Sequence, residues 1–250
     1  MRGSSDAVER DLTFGSLKLK HPEVIAVVER ILPSDRFDEL AEQDLRILEL
    51  RFDSFSEPWS DVVAFAQSMR SRFAILGTCR ENEENRNLLK QRYADFVPVV
   101  DCVDIEIGTE RALRSELIRI TKDSSRQLML SHHDFEKTPP DAELDRTIDD
   151  ALLLRADFVK LALAAPSRQD AARLMFLLER RRDAHLSAFS MGSAGAVTRI
   201  AGGLFGSIFT YAYMDHPNAP GQLSARELLA LRKKFYSSMN RPSASTLFRK

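Results

Sequence analysis

Short apolar runs punctuate the chain at intervals of roughly 21 to 30 residues, at 24–28, 45–51, 73–77, 102–107, 127–131, 157–163, 186–191 and 208–213. Most are near-continuous rather than alternating, the pattern of strands buried on both faces, as parallel strands are. The segments between them carry helical periodicity and charged faces. In 167–178, Ser167 follows Pro166 and offers an N-cap. In 224–235, Ser224 and Glu227 three residues later form a capping-box pattern. Eight such strand–helix units in 250 residues predict an α/β fold, a single-domain (β/α)8 TIM barrel over about residues 20–236. Residues 1–19 then form an N-terminal extension, and the Ser-, Asn- and Pro-containing stretch 237–250 a frayed tail. A doubly wound open sheet is the alternative, but no GxGxxG follows an early strand.

Composition narrows the class without naming a function. Apolar residues make up 44% and charged residues 29%, which excludes wholesale disorder. The 36 basic and 37 acidic residues nearly cancel, so no global field draws nucleic acid or an anionic membrane surface. No apolar stretch approaches the roughly 20 residues of a spanning helix, and residues 1–6 lack a signal peptide's apolar core. Cys79 and Cys102 lack CxxC spacing, which excludes a disulfide scaffold and a zinc ribbon. Two buried free thiols in a reducing cytoplasm is the expectation.

The informative residues are charges placed where a buried strand should have none. Period two puts Ile47, Glu49 and Arg51 on one face, toward the strand end where barrel active sites lie. From the pattern alone a structural ion pair is the plainer reading. Asp104 and Glu106 share a face of the fourth run, suited to binding a metal or to orienting a neighbour. Lys160 interrupts the sixth run, where an ammonium is costly unless paired or neutral. A desolvated amine there can attack a carbonyl, and a paired or strand-end lysine is the plainer alternative. His132 and His133 follow the fifth run, as an acid–base candidate or as hydrogen-bonded loop residues. Arg80 and Arg199 are candidates to clamp an anion, or surface arginines.

Several segments together match a known family. They are 47–53, 131–139 with its His133-Asp134-Phe135, Lys160 in its strand, Met191 through Ser207, and Ala219-Pro220-Gly221-Gln222. On these, from about Val24 to about Tyr236, the chain resembles type I 3-dehydroquinate dehydratase, the Schiff-base-forming enzyme of the shikimate pathway. The resemblance implies a barrel, commonly a homodimer, that uses no metal or cofactor and converts 3-dehydroquinate to 3-dehydroshikimate. It implies Lys160 as the imine-forming amine, His133 as the base and Arg199 as the carboxylate anchor. Glu49, Arg51, Arg80 and Gln222 would hold hydroxyls and the carbonyl side, with Met191 and Tyr211 as apolar walls. Three features depart from the family pattern. The loop after Arg80 lacks the family's glycines, and counting from Arg80 makes Glu84, beside Glu83, the expected partner of His133. The first strand has no serine, and Asn218 stands where many relatives carry serine in the loop that closes over substrate. Another Schiff-base barrel of the class I aldolase kind, or a silent ligand-binding barrel, are the alternatives. The first has no need of the His133-Asp134-Phe135 and Ala219–Gln222 elements together. Retention of both Lys160 and His133 argues against the second.

Overall fold

The computed structural model describes residues 12–20, 22–217 and 220–236. Eight parallel strands alternate with eight helices. The strands are β1 (Glu23–Val28), β2 (Ile47–Arg51), β3 (Ala74–Thr78), β4 (Cys102–Glu106), β5 (Gln127–Asp134), β6 (Phe158–Ala164), β7 (Leu186–Met191) and β8 (Phe209–Tyr213). The helices that follow them are α1 (Asp35–Glu42), α2 (Trp59–Met69), α3 (Leu89–Phe96), α4 (Arg111–Asp123), α5 (Asp141–Leu153), α6 (Arg168–Arg180), α7 (Ala196–Ala201) and α8 (Ala225–Tyr236). The sheet runs from β8 through β1 to β7, with β8 and β1 in register from Phe209 opposite Glu23 to Tyr213 opposite Val27. At the seam between β7 and β8, serine hydroxyls stand in for a ladder. Ile208 N donates to Leu186 O, Phe209 N to Ser187 Oγ and Ala188 N to Ser207 Oγ. The result is the expected (β/α)8 barrel, nearly closed.

Two apolar layers hold it. One lies between strands and helices, where Leu48, Leu50, Ile75, Val103, Leu130, Leu161 and Leu163 meet Phe37, Val62, Phe96, Leu144 and Leu174. The other fills the lower half of the barrel with Ile25, Ile47, Leu76, Cys102, Met129, Phe158 and Phe209. Within the expected N-terminal extension, Thr13–Phe14 and Leu17–Lys18 pair as a short hairpin. Its Phe14 is fully buried against Phe158 and Phe209, with ring centroids 5.6 Å away in both cases. Gln127 fixes this plug, accepting from Gly15 N and donating to Thr13 O. The hairpin therefore belongs to the barrel floor, while the expected tail 237–250 lies outside the described residues.

The two expected caps are present. Ser167 and Asp170 exchange bonds as a capping box on α6, and Ser224 and Glu227 do so ahead of α8. Both cysteines are free and buried. No helix among the described residues is long and apolar enough to cross a membrane.

Candidate active site

Inward positions change character along each strand. Reading from floor to mouth, β2 offers Ile47, Glu49 and Arg51, and β4 offers Cys102, Asp104 and Glu106. Strand β5 offers Met129, Ser131 and His133, while Leu76 and Thr78 on β3 lead to Arg80 just beyond it. Alternation with period two converts each short sequence into an apolar base and a charged rim. The rim surrounds a cavity of about 440 Å³ at the C-terminal ends of the strands, lined among others by Glu49, Arg51, Arg80, Glu106, His133, Lys160, Met191, Arg199, Tyr211 and Gln222.

Lys160 sits at the centre of β6 and is 4% exposed. Its Nζ donates to Asp104 Oδ2 at 3.1 Å and to Glu49 Oε1 at 3.3 Å, and lies 4.2 Å from the centroid of the Tyr211 ring. Two buried carboxylates and an aromatic face thus compensate the amine's lost hydration. Both carboxylates are themselves held. Thr78 Oγ1 donates to Glu49 Oε1 at 2.7 Å, and Ser131 Oγ donates to Asp104 Oδ1 at 2.6 Å. Burial acts to raise the Asp104 carboxyl, but the charges of Arg80 and Lys160 outweigh it and hold the group well below the usual carboxylate range.

His133 lies at the mouth of β5, two residues further along the strand than the apolar run extends. Its Nδ1 meets Glu106 Oε2 at 2.6 Å, and its backbone N donates to Glu106 Oε1 at 3.1 Å. A carboxylate on Nδ1 fixes the tautomer with the proton there and leaves Nε2 with a free lone pair. Burial lowers the imidazole below the ordinary histidine range, helped by Lys160 and Arg80 and opposed by Glu106. The neutral ring is therefore the form favoured near pH 7, as a base requires.

This geometry corrects the expected partner of His133. Glu84 is exposed on the loop after β3, and Glu106 makes the contact instead. Asn85 supplies the reason. It is fully buried, its Nδ2 donates to Arg80 O at 2.7 Å, and Asn82 and Asn85 each accept the other's backbone N–H. An asparagine turn shapes the loop where glycines were expected and leaves Glu84 pointing to solvent. Glu106 stood in the sequence as one of a same-face carboxylate pair with Asp104. Its distance to a residue on the next strand is what only the fold supplies. Asp104, absent from the expected site, is buried completely beneath Lys160.

The anion-binding candidates separate into two kinds. Arg199, in the last turn of α7, is 3% exposed and stacks over Phe189 at 4.4 Å. Its Nη1 donates to Tyr211 O at 3.4 Å, while Nε is buried with no partner among the described residues. Burial alone pushes this guanidinium down to about 10. Among the described residues no carboxylate pairs with it, and a cation buried in this way is suited to an anion. Arg51 and Arg80 are instead already paired. Arg51 bonds Asp53 at 2.8 Å, and Arg80 bonds Asp104 at 2.9 Å. Met191 is buried and, with Gln222, lines the cavity; the expected contribution of Asn218 lies outside the described residues. Asp104 and Glu106 contact Lys160 and His133, and among the described residues no group of three or more His, Cys, Asp or Glu is arranged to hold a metal ion.

Comparison with known proteins agrees with this arrangement. The family model described as type I 3-dehydroquinase matches residues 31–238. The chain is 35% identical over 212 residues to the 3-dehydroquinate dehydratase of a Hydrogenobaculum species, an alignment covering 82% of this chain and 96% of that one. It is 31% identical over 230 residues to the 3-dehydroquinate dehydratase of Methanococcoides burtonii, covering 87% and 96%. The crystal structure of the Aquifex aeolicus 3-dehydroquinate dehydratase superposes with a TM-score of 0.73 at 30% identity, over 86% of this chain and 99% of the other. Matched across most of its barrel and over nearly the full length of these relatives, the chain belongs to the type I 3-dehydroquinase family, whose members are hydro-lyases.

Proposed function

We propose that the chain dehydrates 3-dehydroquinate to 3-dehydroshikimate through an imine on Lys160. The observation that carries this reading is a buried amine and a carboxylate-held imidazole lining one cavity with a buried guanidinium that meets no carboxylate among the described residues. Arg199 anchors the substrate carboxylate with a planar fork. Lys160 Nζ adds to the C3 ketone and, after loss of water, forms the imine. His133 Nε2 removes the C2 proton, and the electron pair passes into the C=N bond to give an enamine. The enamine expels the C1 hydroxyl, which takes the proton back from His133 and leaves as water. Hydrolysis of the conjugated imine returns the amine and releases 3-dehydroshikimate. Glu49 and Asp104 hold the amine in place, Glu106 keeps His133 in the productive tautomer, and Met191 and Tyr211 wall the ring. Arg51 and Gln222 hold the ring hydroxyls. The family likeness supports a cytoplasmic homodimer acting on this small molecule, and sedimentation of the full chain measures the assembly.

The test is trapping. Borohydride added to the protein with 3-dehydroquinate reduces the imine to a stable secondary amine, located by peptide mass. An adduct on Lys160 with a growing enone absorbance in a parallel assay is expected. Absence of both overturns the reading in favour of another substrate or a silent barrel.

A further inference from the structure

Arg80 was expected to touch substrate, and its guanidinium, which lines the cavity, is also paired with the protein's own charges. Asp104 and Glu106 occupy one face of β4 two residues apart, so both carboxylates point into the same buried space. Left alone they would repel one another. Arg80 enters from the end of β3 between them. Its Nη2 donates to Asp104 Oδ2 at 2.9 Å and to Ser131 Oγ at 2.9 Å, and its Nη1 lies 3.8 Å from Glu106 Oε2. The oxygens concerned are the ones the reacting groups use. Asp104 Oδ2 is also the acceptor of Lys160 Nζ, and Glu106 Oε2 is also the oxygen on His133 Nδ1. Ser131 has one hydroxyl proton and gives it to Asp104, which leaves its oxygen to accept from Arg80. An unbroken line of charges therefore runs from Lys160 through Asp104, Arg80 and Glu106 to His133.

We propose that Arg80 is a positioning residue that couples the amine of Lys160 to the imidazole of His133, by holding on one guanidinium the two carboxylates that serve them. The proposal rests on the functional reading above and assigns within it a role other than substrate contact. Removing the cation acts at both ends of the line. Asp104 loses its second cation and grips Lys160 more tightly, which slows its attack on the ketone. The pull of Arg80 on Glu106 is lost to His133's advantage, and the repulsion between guanidinium and imidazolium disappears, so the ring takes up its proton more readily. The charged groups facing the His133 ring are Glu106 and Asp104 from β4, Arg80 from beyond β3 and Lys160 from β6. His132 from its own strand faces Glu106 at 3.9 Å, and Glu49, Arg51 and Arg199 line the same cavity. Of these Arg80 alone changes in the test.

The experiment follows the His133 ring protons by NMR through a pH titration of the full chain without substrate, assigned with a His133→Asn variant. In Arg80→Gln the midpoint should rise by about one unit, the size expected for losing a charge at this range. In Arg80→Lys, which keeps the charge, it should stay near the wild-type value. The acid limb of kcat/KM should move up with the ring midpoint in Arg80→Gln, and trapping at Lys160 at pH 7 should slow. An unmoved midpoint with a raised KM would overturn the proposal and return Arg80 to substrate binding. A merely structural role would lower the melting temperature and leave the midpoint in place. Should Arg80→Gln fail to fold, Arg80→Met keeps the length of the arginine stem while removing the same charge, and an unshifted midpoint there refutes the coupling equally. Wild-type trapping serves as the control: no adduct overturns the functional reading, whereas the ring titration judges the coupling without substrate.

Discussion

Two carboxylates compete for the duty of orienting His133, and replacing each in turn decides between them. Glu106 contacts Nδ1 at 2.6 Å and is 26% exposed, so solvent screens the bond weakly. A hydrogen bond to a charged group of this kind contributes about 1.5–3 kcal/mol, and each 1.36 kcal/mol is about a tenfold change in rate. Glutamine at 106 preserves size but removes the charge, and its amide NH2 can donate to Nδ1. The ring then carries its proton on Nε2 and cannot accept one from C2. General-base assistance is worth about 10²–10⁴-fold, so Glu106→Gln should lower kcat by about 10²–10³-fold with a much smaller change in KM. Glu84→Gln, at an exposed position, should keep kcat within about twofold. The assay is the growth of enone absorbance with 3-dehydroquinate across pH 5.5 to 8.5. Loss of activity in Glu84→Gln with retention in Glu106→Gln would refute the argument, since the loop would then have to fold onto the ring during turnover.

Further outcomes are fixed by the same network. Arg199→Lys keeps a cation but loses the planar fork, and KM should rise by about 10–100-fold, the equivalent of one charged hydrogen bond, with kcat little changed; a KM within twofold would deny it the carboxylate. Lys160→Met should abolish trapping and, by leaving Asp104 and Glu49 without their shared ammonium, cost about 3 kcal/mol in urea unfolding, partly restored by adding Asp104→Asn. Stability should also fall with acid in two stages. His133 is lowered in the folded state, so the unfolded chain takes up its proton first as pH drops below about 6.5, and stability declines there. Asp104 and Glu106 are lowered as well, so their contribution is complete above about pH 5 and is lost as pH falls through their folded values. Urea midpoints at pH 7, 5.5 and 4 measure both stages, and a His133→Asn variant that keeps the decline between 7 and 5.5 would remove histidine from the account.

All eight strands were legible because parallel strands under helices must be apolar on both faces, and the runs at 24–28 through 208–213 are. The fifth strand was read short. Its last three residues, His132, His133 and Asp134, still pair with Leu161, Ala162 and Leu163, but polar residues at the mouth carry no hydropathy signal. Lys160 and Glu49 stood out as charges inside apolar runs, which only pairing makes tolerable. Counting along the loop points to Glu84 because it presumes a conformation, whereas Asn82 and Asn85 bend the chain in a way spacing does not encode. The role of Glu106 depends on a contact between neighbouring strands, 27 residues apart in sequence, and such distances follow from register alone. Arg199 lies in a short helix rather than a strand, and its want of an anion is visible only once burial is known.

The pairing of β8 with β1 and the hairpin in the floor have a consequence for how the chain is made. During synthesis β1 leaves the ribosome among the first elements, with one edge able to find β2 early. Its other edge must wait for Phe209–Tyr213, 186 residues after Glu23. Phe14 waits for the same moment, since its socket is built from Phe158 and Phe209. A nascent chain thus carries an unpaired strand edge and an unseated aromatic plug until Phe209–Tyr213 has emerged, the combination that invites pairing with a neighbouring copy. The eighth strand therefore fastens the first, and a ribosome that stalls before it leaves β1 and Phe14 exposed.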